Sequence, residues 1–184
     1  MQRFKKGDPV FILPRFAHLY PDSSGIVIAT KDDPFRPMFN SYTLQFPDRS
    51  TGNLFEFQII ENPPNYTTLI AVVAFDSQRD APQIHMRGQG TQRQIVLQTP
   101  ANDVHLKVQA SKTRASIMGQ VLERRTKSLL RPVEVSLIKE ATTTNKITSD
   151  SEGIFKFSDA PRGTISILLV IPEDFFRILG EISI

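Results

Sequence analysis

The sequence predicts an all-β protein in which a small barrel precedes an antiparallel sandwich. Three observations support this. Runs rich in Val, Ile, Thr and Phe recur between clusters of Pro, Gly, Asn, Asp and Ser, as strands do between turns. Apolar residues at helical spacing are almost missing. The consecutive prolines of Asn62-Pro63-Pro64-Asn65 remove two backbone donors and favour an extended connector, which sets a boundary inside the 184 residues. With 40% apolar and 22% charged residues the chain lies above the composition of disordered segments.

In the first unit, taken as residues 1–62, the expected strands are Pro9 to Leu13, Gly25 to Thr30, Ser41 to Phe46 and Asn53 to Ile60. Tyr20-Pro21-Asp22-Ser23-Ser24-Gly25 supplies the proline and glycine of a turn before Ile26-Val27-Ile28. Phe46-Pro47-Asp48-Arg49-Ser50 separates Tyr42-Thr43-Leu44-Gln45 from Leu54-Phe55-Glu56-Phe57-Gln58 and predicts a hairpin. Lys6-Gly7-Asp8-Pro9-Val10, Ser24-Gly25-Ile26-Val27 and Tyr42-Thr43-Leu44-Gln45-Phe46-Pro47-Asp48 together resemble the strand words of a Src-homology-3-like barrel of the Tudor and KOW type. The resemblance covers about a third of the chain.

Residues 63–113 form a basic connector that contains strands. Thr67 to Phe75 predicts one buried strand, Asp76 to Thr91 has few apolar anchors, and Arg93 to Gln98 and Val104 to Gln109 return to strand character. Val104, Leu106 and Val108 alternate with His105, Lys107 and Gln109, so one face of the last strand is expected to be buried. These strands have three destinations: the barrel, the sandwich, or each other. We favour extension of the sandwich.

Residues 114–184 supply strands at Ser116 to Leu122, Val133 to Lys139, Lys146 to Ser149, Ile154 to Ser158, Thr164 to Ile171 and Arg177 to Ile184, a spacing that suits an antiparallel sandwich. Here Met118-Gly119-Gln120-Val121, Arg131-Pro132-Val133-Glu134-Val135-Ser136-Leu137, Thr148-Ser149-Asp150-Ser151-Glu152-Gly153-Ile154-Phe155-Lys156-Phe157 and Ala160-Pro161-Arg162-Gly163-Thr164 follow one another. In that order they resemble the carboxypeptidase regulatory-like domain, with its G-x-V, P-V-x-x-A-x-V-x-L, T-x-x-x-G-x-F-x-F and P-x-G words. The resemblance implies a transthyretin-like, immunoglobulin-like sandwich, appended to other modules and without chemistry of its own. Glu134 departs from the small apolar residue common near its position, and the loop Glu123 to Leu130 is more basic than usual.

Composition narrows the function classes. The chain has no cysteine, hence no disulfide framework, thiolate metal site or cysteine nucleophile, which fits a reducing compartment; we expect a cytoplasmic protein. No apolar stretch of secretory-signal length follows Lys5 and Lys6, so export by that route is not expected. The longest apolar runs, Leu69 to Phe75 and Ile165 to Ile171, are strand-sized, and no membrane partner is expected. The net charge of +3 is confined to the middle, where Asp76 to Ala115 holds 6 basic and 3 acidic residues against 7 and 7 before it and 9 and 9 after it. A nucleic-acid interface would therefore rest on this segment, with Arg79, Arg87, Arg93 and Lys107 as its phosphate contacts.

Catalysis finds little support. His18, His85 and His105 are dispersed with no metal-ligand spacing, and Arg87-Gly88-Gln89-Gly90 lacks the strand-to-helix setting of a phosphate cradle. Asp150, Glu152 and Asp159 surround a turn without the spacing of an EF-hand, and in the resembling family the acidic residue before Gly153 shapes the hairpin. We expect no cofactor, no metal and no enzyme. Of the aromatic group Phe11, Phe16, Tyr20, Phe35, Phe39, Tyr42 and Phe46, most are expected in the barrel core, because a small domain needs large side chains. Tyr20, Phe35 and Phe39 lie in loop-like sequence and are the expected binding residues, by analogy with barrels that bind peptides or cations on aromatic surfaces. The expected function is a non-catalytic binding or adaptor protein with a protein partner. The alternatives are a nucleic-acid-associated protein and a carbohydrate-binding accessory module; the second is weakened because residues 114–184 contain neither Trp nor Tyr.

Overall fold

A computed structural model of the chain describes residues 3–63, 66–80, 92–140 and 142–184. The fold is all-β, with three five-stranded sheets. The chain divides into two compact units, one formed by Met1–Thr67 with Glu140–Thr142 and the other by Thr68–Lys139 and Thr143–Ile184.

In the first unit the strands are β1 (Pro9–Ile12), β2 (Ser24–Lys31), β3 (Ser41–Gln45), β4 (Thr51–Phe55) and β5 (Ile59–Glu61), in the sheet order β4-β3-β2-β1-β5. All four pairings are antiparallel. Val10 faces Gly25 of β2 and Glu61 of β5, so the first strand sits between its successor and the last strand of the unit. Val10, Ile12, Val27, Tyr42, Leu44, Phe46, Leu54 and Ile59 bury their side chains in one cluster with Phe4. The β3–β4 hairpin closes over Phe46–Ser50, where the Asp48 carboxylate accepts the Ser50 amide at 2.9 Å and Arg49 takes φ 68°.

Two features of this unit depart from the sequence pattern. Pro14 starts a single helical turn, α1 (Pro14–Ala17), where its missing N–H leaves nothing unpaired. The expected strand Asn53 to Ile60 is broken by a 3-10 turn at Glu56–Gln58, because the Gln58 amide oxygen accepts the Phe55 N–H at 2.7 Å and diverts it from a strand partner.

The second unit is a sandwich of two sheets. One contains β7 (Val72–Asp76), β8 (Gln92–Gln98), β9 (Asn102–Ala110), β10 (Arg114–Glu123) and β13 (Ile154–Pro161), in the order β13-β10-β9-β8-β7. The other contains β6 (Thr67–Ile70), β11 (Glu134–Lys139), β12 (Thr142–Thr148), β14 (Thr164–Ile171) and β15 (Phe176–Ser183), in the order β12-β11-β14-β15-β6. Ile95, Leu97, Val104, Leu106, Ile117 and Phe155 of the first sheet share one core with Val135, Leu137, Ile167, Leu169 and Ile178 of the second. Strands β6 to β9, all within the connector stretch, are thus integral to the sandwich. The single buried strand expected over Thr67 to Phe75 is instead two strands in different sheets, and Val72 is 64% exposed. The chain changes sheet at Ala71, a buried residue whose amide donates to Leu179 and whose small side chain lies where Gly180 also leaves room.

Gly119 and Gly153 serve different constraints. Gly119 lies under Phe155, and a Cβ there would stand 2.5 Å from the ring and 2.8 Å from the His105 carbonyl, so the requirement is space. Gly153 is buried, but an added Cβ would make only ordinary contacts, the nearest with the Leu130 carbonyl at 3.4 Å; its constraint is φ +72°, in the turn where the Asp150 carboxylate accepts the amides of Glu152 and Ile154, each at 2.9 Å. A β-branched side chain is strained there by conformation alone. Gly119→Val is expected to prevent folding of the second unit. Gly153→Val should leave it folded but less stable, and Phe155→Ala should lower stability by about 3–5 kcal/mol. Chemical denaturation of the three variants checks this ranking, which fails if Gly119→Val unfolds at the wild-type midpoint.

Candidate functional site

The most distinctive surface of the described residues is built around the turn that breaks β4 from β5. In Phe55-Glu56-Phe57-Gln58 the Gln58 side chain is buried and the Phe55 ring exposed, while Glu56 and Phe57 are both half-buried. The Glu56 Oε2 accepts the Tyr42 hydroxyl at 2.7 Å and the Asn40 side-chain amide at 2.9 Å, while Gln58 is buried. Phe55 is left 42% exposed. A buried amide and a half-buried carboxylate beside an exposed phenyl ring need strong local bonding.

Asn40 supplies most of it. This residue is 1% exposed and uses every polar group it has. Its carbonyl accepts the Glu56 amide at 2.9 Å, its Nδ2 donates to Glu56, its Oδ1 accepts the Asp33 amide at 3.0 Å and its own amide donates to the Pro37 carbonyl at 3.0 Å. The Asp33 carboxylate accepts the amides of Phe35 and Arg36, at 2.9 and 2.8 Å, and these two bonds hold it below the usual carboxylate range. Loop 32–40 is thereby held to the 55–58 turn. The Leu13 amide donates to the Gln58 carbonyl at 2.8 Å, which brings α1 to the same place.

Four phenylalanine rings meet as a result. The Phe57 ring contacts Phe16 edge-on at 5.7 Å and Phe39 edge-on at 5.9 Å, and stacks on Phe55 at 5.6 Å with 12° between planes. Phe39 also meets Phe55 edge-on at 5.8 Å. A guanidinium covers a ring at each end of the row, Arg15 over Phe16 and Arg36 over Phe39, both 4.8 Å from the centroid. Such a surface offers apolar contact area fixed in place. Among the described residues no three His, Asp or Glu side chains gather closely enough to hold a metal.

The residues expected from sequence are distributed differently. Phe39 lies in the row. Phe35 is 87% exposed and belongs to the same loop, but its ring joins no aromatic pair among the described residues. Tyr20 packs on Phe46 at 5.9 Å against the core of the first unit and donates its hydroxyl to the Asn53 carbonyl at 3.1 Å, so the structure does not bring it together with Phe39. Phe55 and Phe57 were missed. Their signal is the F-x-F pattern with Glu56 between the rings and Gln58 after them, which reads as strand alternation until the partners of Glu56 and Gln58 are known.

The basic residues of the connector are mostly engaged. Arg93 makes a bidentate pair with Asp76, with Nε to Oδ1 at 2.9 Å, and reaches the Ser183 carbonyl; its hydrogen bond is the main cause holding the Asp76 carboxyl below the usual range. Arg79 pairs with Asp80 at 2.7 Å. Lys107 is exposed on the outer face of β9, in a shallow groove of about 290 Å³ shared with Val96, His105, Met118 and Gln120. Arg87 lies outside the described residues. In the β10–β11 loop, Arg124 and Lys127 both pair with the buried Asp103, at 3.3 and 3.4 Å. Comparison with known proteins returned no matching family model, no similar curated protein and no similar solved structure.

Tyr42 gives this network a pH signature. Burial, and then the hydrogen bond to Glu56, push its phenol up to about 12. A hydroxyl whose folded pKa is raised contributes stability that is complete below the unfolded value near 10 and is lost as pH rises towards 12. Tyr42→Phe is expected to lower stability by about 1–3 kcal/mol at neutral pH, since the Glu56 oxygen loses a donor. The gap between wild type and variant should shrink as pH rises above 10, as read by urea unfolding at a series of pH values. A gap that stays constant across that range would show that the hydroxyl does not titrate with folding.

Proposed function

We propose that this chain is a non-catalytic binding protein that engages a protein partner through the aromatic row of its first unit. The observation that carries the reading is the exposed Phe55 ring, stacked on Phe57 beside the inward-bonded Gln58. Hydrogen bonds tie down Glu56 and Gln58 and leave Phe55 exposed, in ring contact with the half-buried Phe57 and Phe39, and Phe57 in turn meets Phe16. Exposed apolar patches with rigid aromatic anchors are the common substance of protein interfaces, and a fixed patch binds with little ordering cost.

In the same reading the first unit is a Src-homology-3-like barrel; the β4-β3-β2-β1-β5 order, with β1 between β2 and β5, supports this. The second is a carboxypeptidase regulatory-like sandwich that acts as an appended scaffold, supported by the positions of Gly119, Gly153 and Phe155 in its turns and core. Nucleic-acid binding through the connector is the weaker alternative because Arg79 and Arg93 are already paired with Asp80 and Asp76. No arrangement among the described residues favours carbohydrate.

Immobilised full-length chain can be compared with its variants for capture from native lysate, under nuclease treatment and varied salt. Phe39→Ser with Phe55→Ser should abolish capture of the proteins bound by wild type while leaving the melting temperature of the second unit unchanged. Arg79→Gln with Lys107→Gln should have little effect. The opposite ranking, with nuclease-sensitive capture that falls steeply with salt, would replace this reading with the nucleic-acid one.

A further inference from the structure

We infer that the second unit carries a small-molecule site on the outer face of its β13-β10-β9-β8-β7 sheet, whose ligand is an organic monocarboxylate with a compact apolar body. The inference is independent of the aromatic row. Strand register sets the chemistry of the face. Val96, His105, Gln120 and Ile154 form one row across β8, β9, β10 and β13, and Gln94, Lys107, Met118 and Lys156 form the next. The groove of about 290 Å³ lies along these rows, at the small end of the range for ligand pockets. Lys107 and His105, two residues apart on β9, project from the same side and are both exposed. Beside them Met118 is 37% exposed between Lys107 and Lys156, and half-buried Ile154 is its diagonal neighbour.

None of the positions in the two rows is acidic. Among the described residues the side chains of Lys107, Lys156 and His105 have no hydrogen-bond or ion-pair partner, whereas Arg79 and Arg93 are paired. The carboxylates that border the face are engaged elsewhere or distant along it. Asp103, next after His105 on that side of β9, is buried and paired with Arg124 and Lys127. Asp159 pairs with Arg114, and Asp76, opposite the buried Ile95, belongs to the other face of the sheet. In the turn before Ile154, Asp150 accepts two backbone amides and Glu152 is exposed, two strands away from Lys107. The face thus sets an ammonium and an imidazole next to apolar surface. The complementary ligand places its carboxylate on Lys107 and His105 and its apolar body on Met118 and Ile154.

NMR of the full-length chain with isotope-labelled methionine methyls tests this, the Met118 signal being identified by its loss in Met118→Leu. The probes are naphthoate, its neutral amide, inorganic phosphate and a short oligothymidylate. Naphthoate should shift the Met118 signal saturably with a Kd of about 1 mM or below. Lys107→Gln, at an exposed strand position, should weaken that binding about threefold to tenfold, the scale of one contact to an exposed charge. Equal binding of the neutral amide, or unchanged affinity in Lys107→Gln, would overturn the carboxylate contact. Tighter binding of phosphate or oligothymidylate than of naphthoate would replace the proposal with a phosphate-binding face. No saturable shift at about 10 mM naphthoate, enough to fill a millimolar site, would remove the site altogether.

Discussion

The first unit depends on one buried amide. Asn40 joins loop 32–40, the start of β3 and the 55–58 turn through bonds that use both its main-chain groups and both ends of its side chain. A buried polar side chain left partly unsatisfied is costly, whereas one with every group engaged specifies a single arrangement of the segments it joins. Because Glu56 is the main partner, the bonded position of that carboxylate and the exposed position of Phe55 are settled together. The aromatic row is thus a consequence of polar bonding beneath it rather than of apolar packing above it.

This arrangement also explains how phenyl rings stay at a surface without collapsing. Edge-to-face and stacked contacts join the four rings, and two guanidiniums cover the ends, so each ring gains partners while the row keeps an open side. Pre-organisation of this kind lowers the ordering cost of association. The sandwich of the second unit has the opposite logic: its apolar side chains face inward from two sheets, and Gly119 yields its volume to Phe155.

Local patterns told most of the fold. The alternation of Val104, Leu106 and Val108, the Phe46–Ser50 turn and the Asp150–Gly153 turn are local signals, and each corresponds to an observed strand or turn. What the sequence did not disclose depends on partners distant along the chain. The break between β4 and β5 joins the local Phe55–Gln58 bond to bonds between Glu56 and Asn40, sixteen positions apart, and the change of sheet at Ala71 is set against Leu179 and Gly180. Tyr20 and Phe39 look alike as loop aromatics, yet one rests on Phe46 and the other on Phe55 and Phe57. Arg93 looked like a free cation because Asp76, its partner across the β7–β8 pair, lies seventeen residues earlier.

Amide hydrogen exchange on Asn40→Ala tests the central claim most directly. If the Asn40 network holds the surface together, exchange at Asp33, Phe35, Arg36 and Glu56 should accelerate together, while Val10, Ile12 and Leu44 in the strands of the first unit keep most of their protection. Unchanged protection at Asp33 and Glu56 in a folded variant would contradict the account, since the aromatic row would then be held by its own ring contacts.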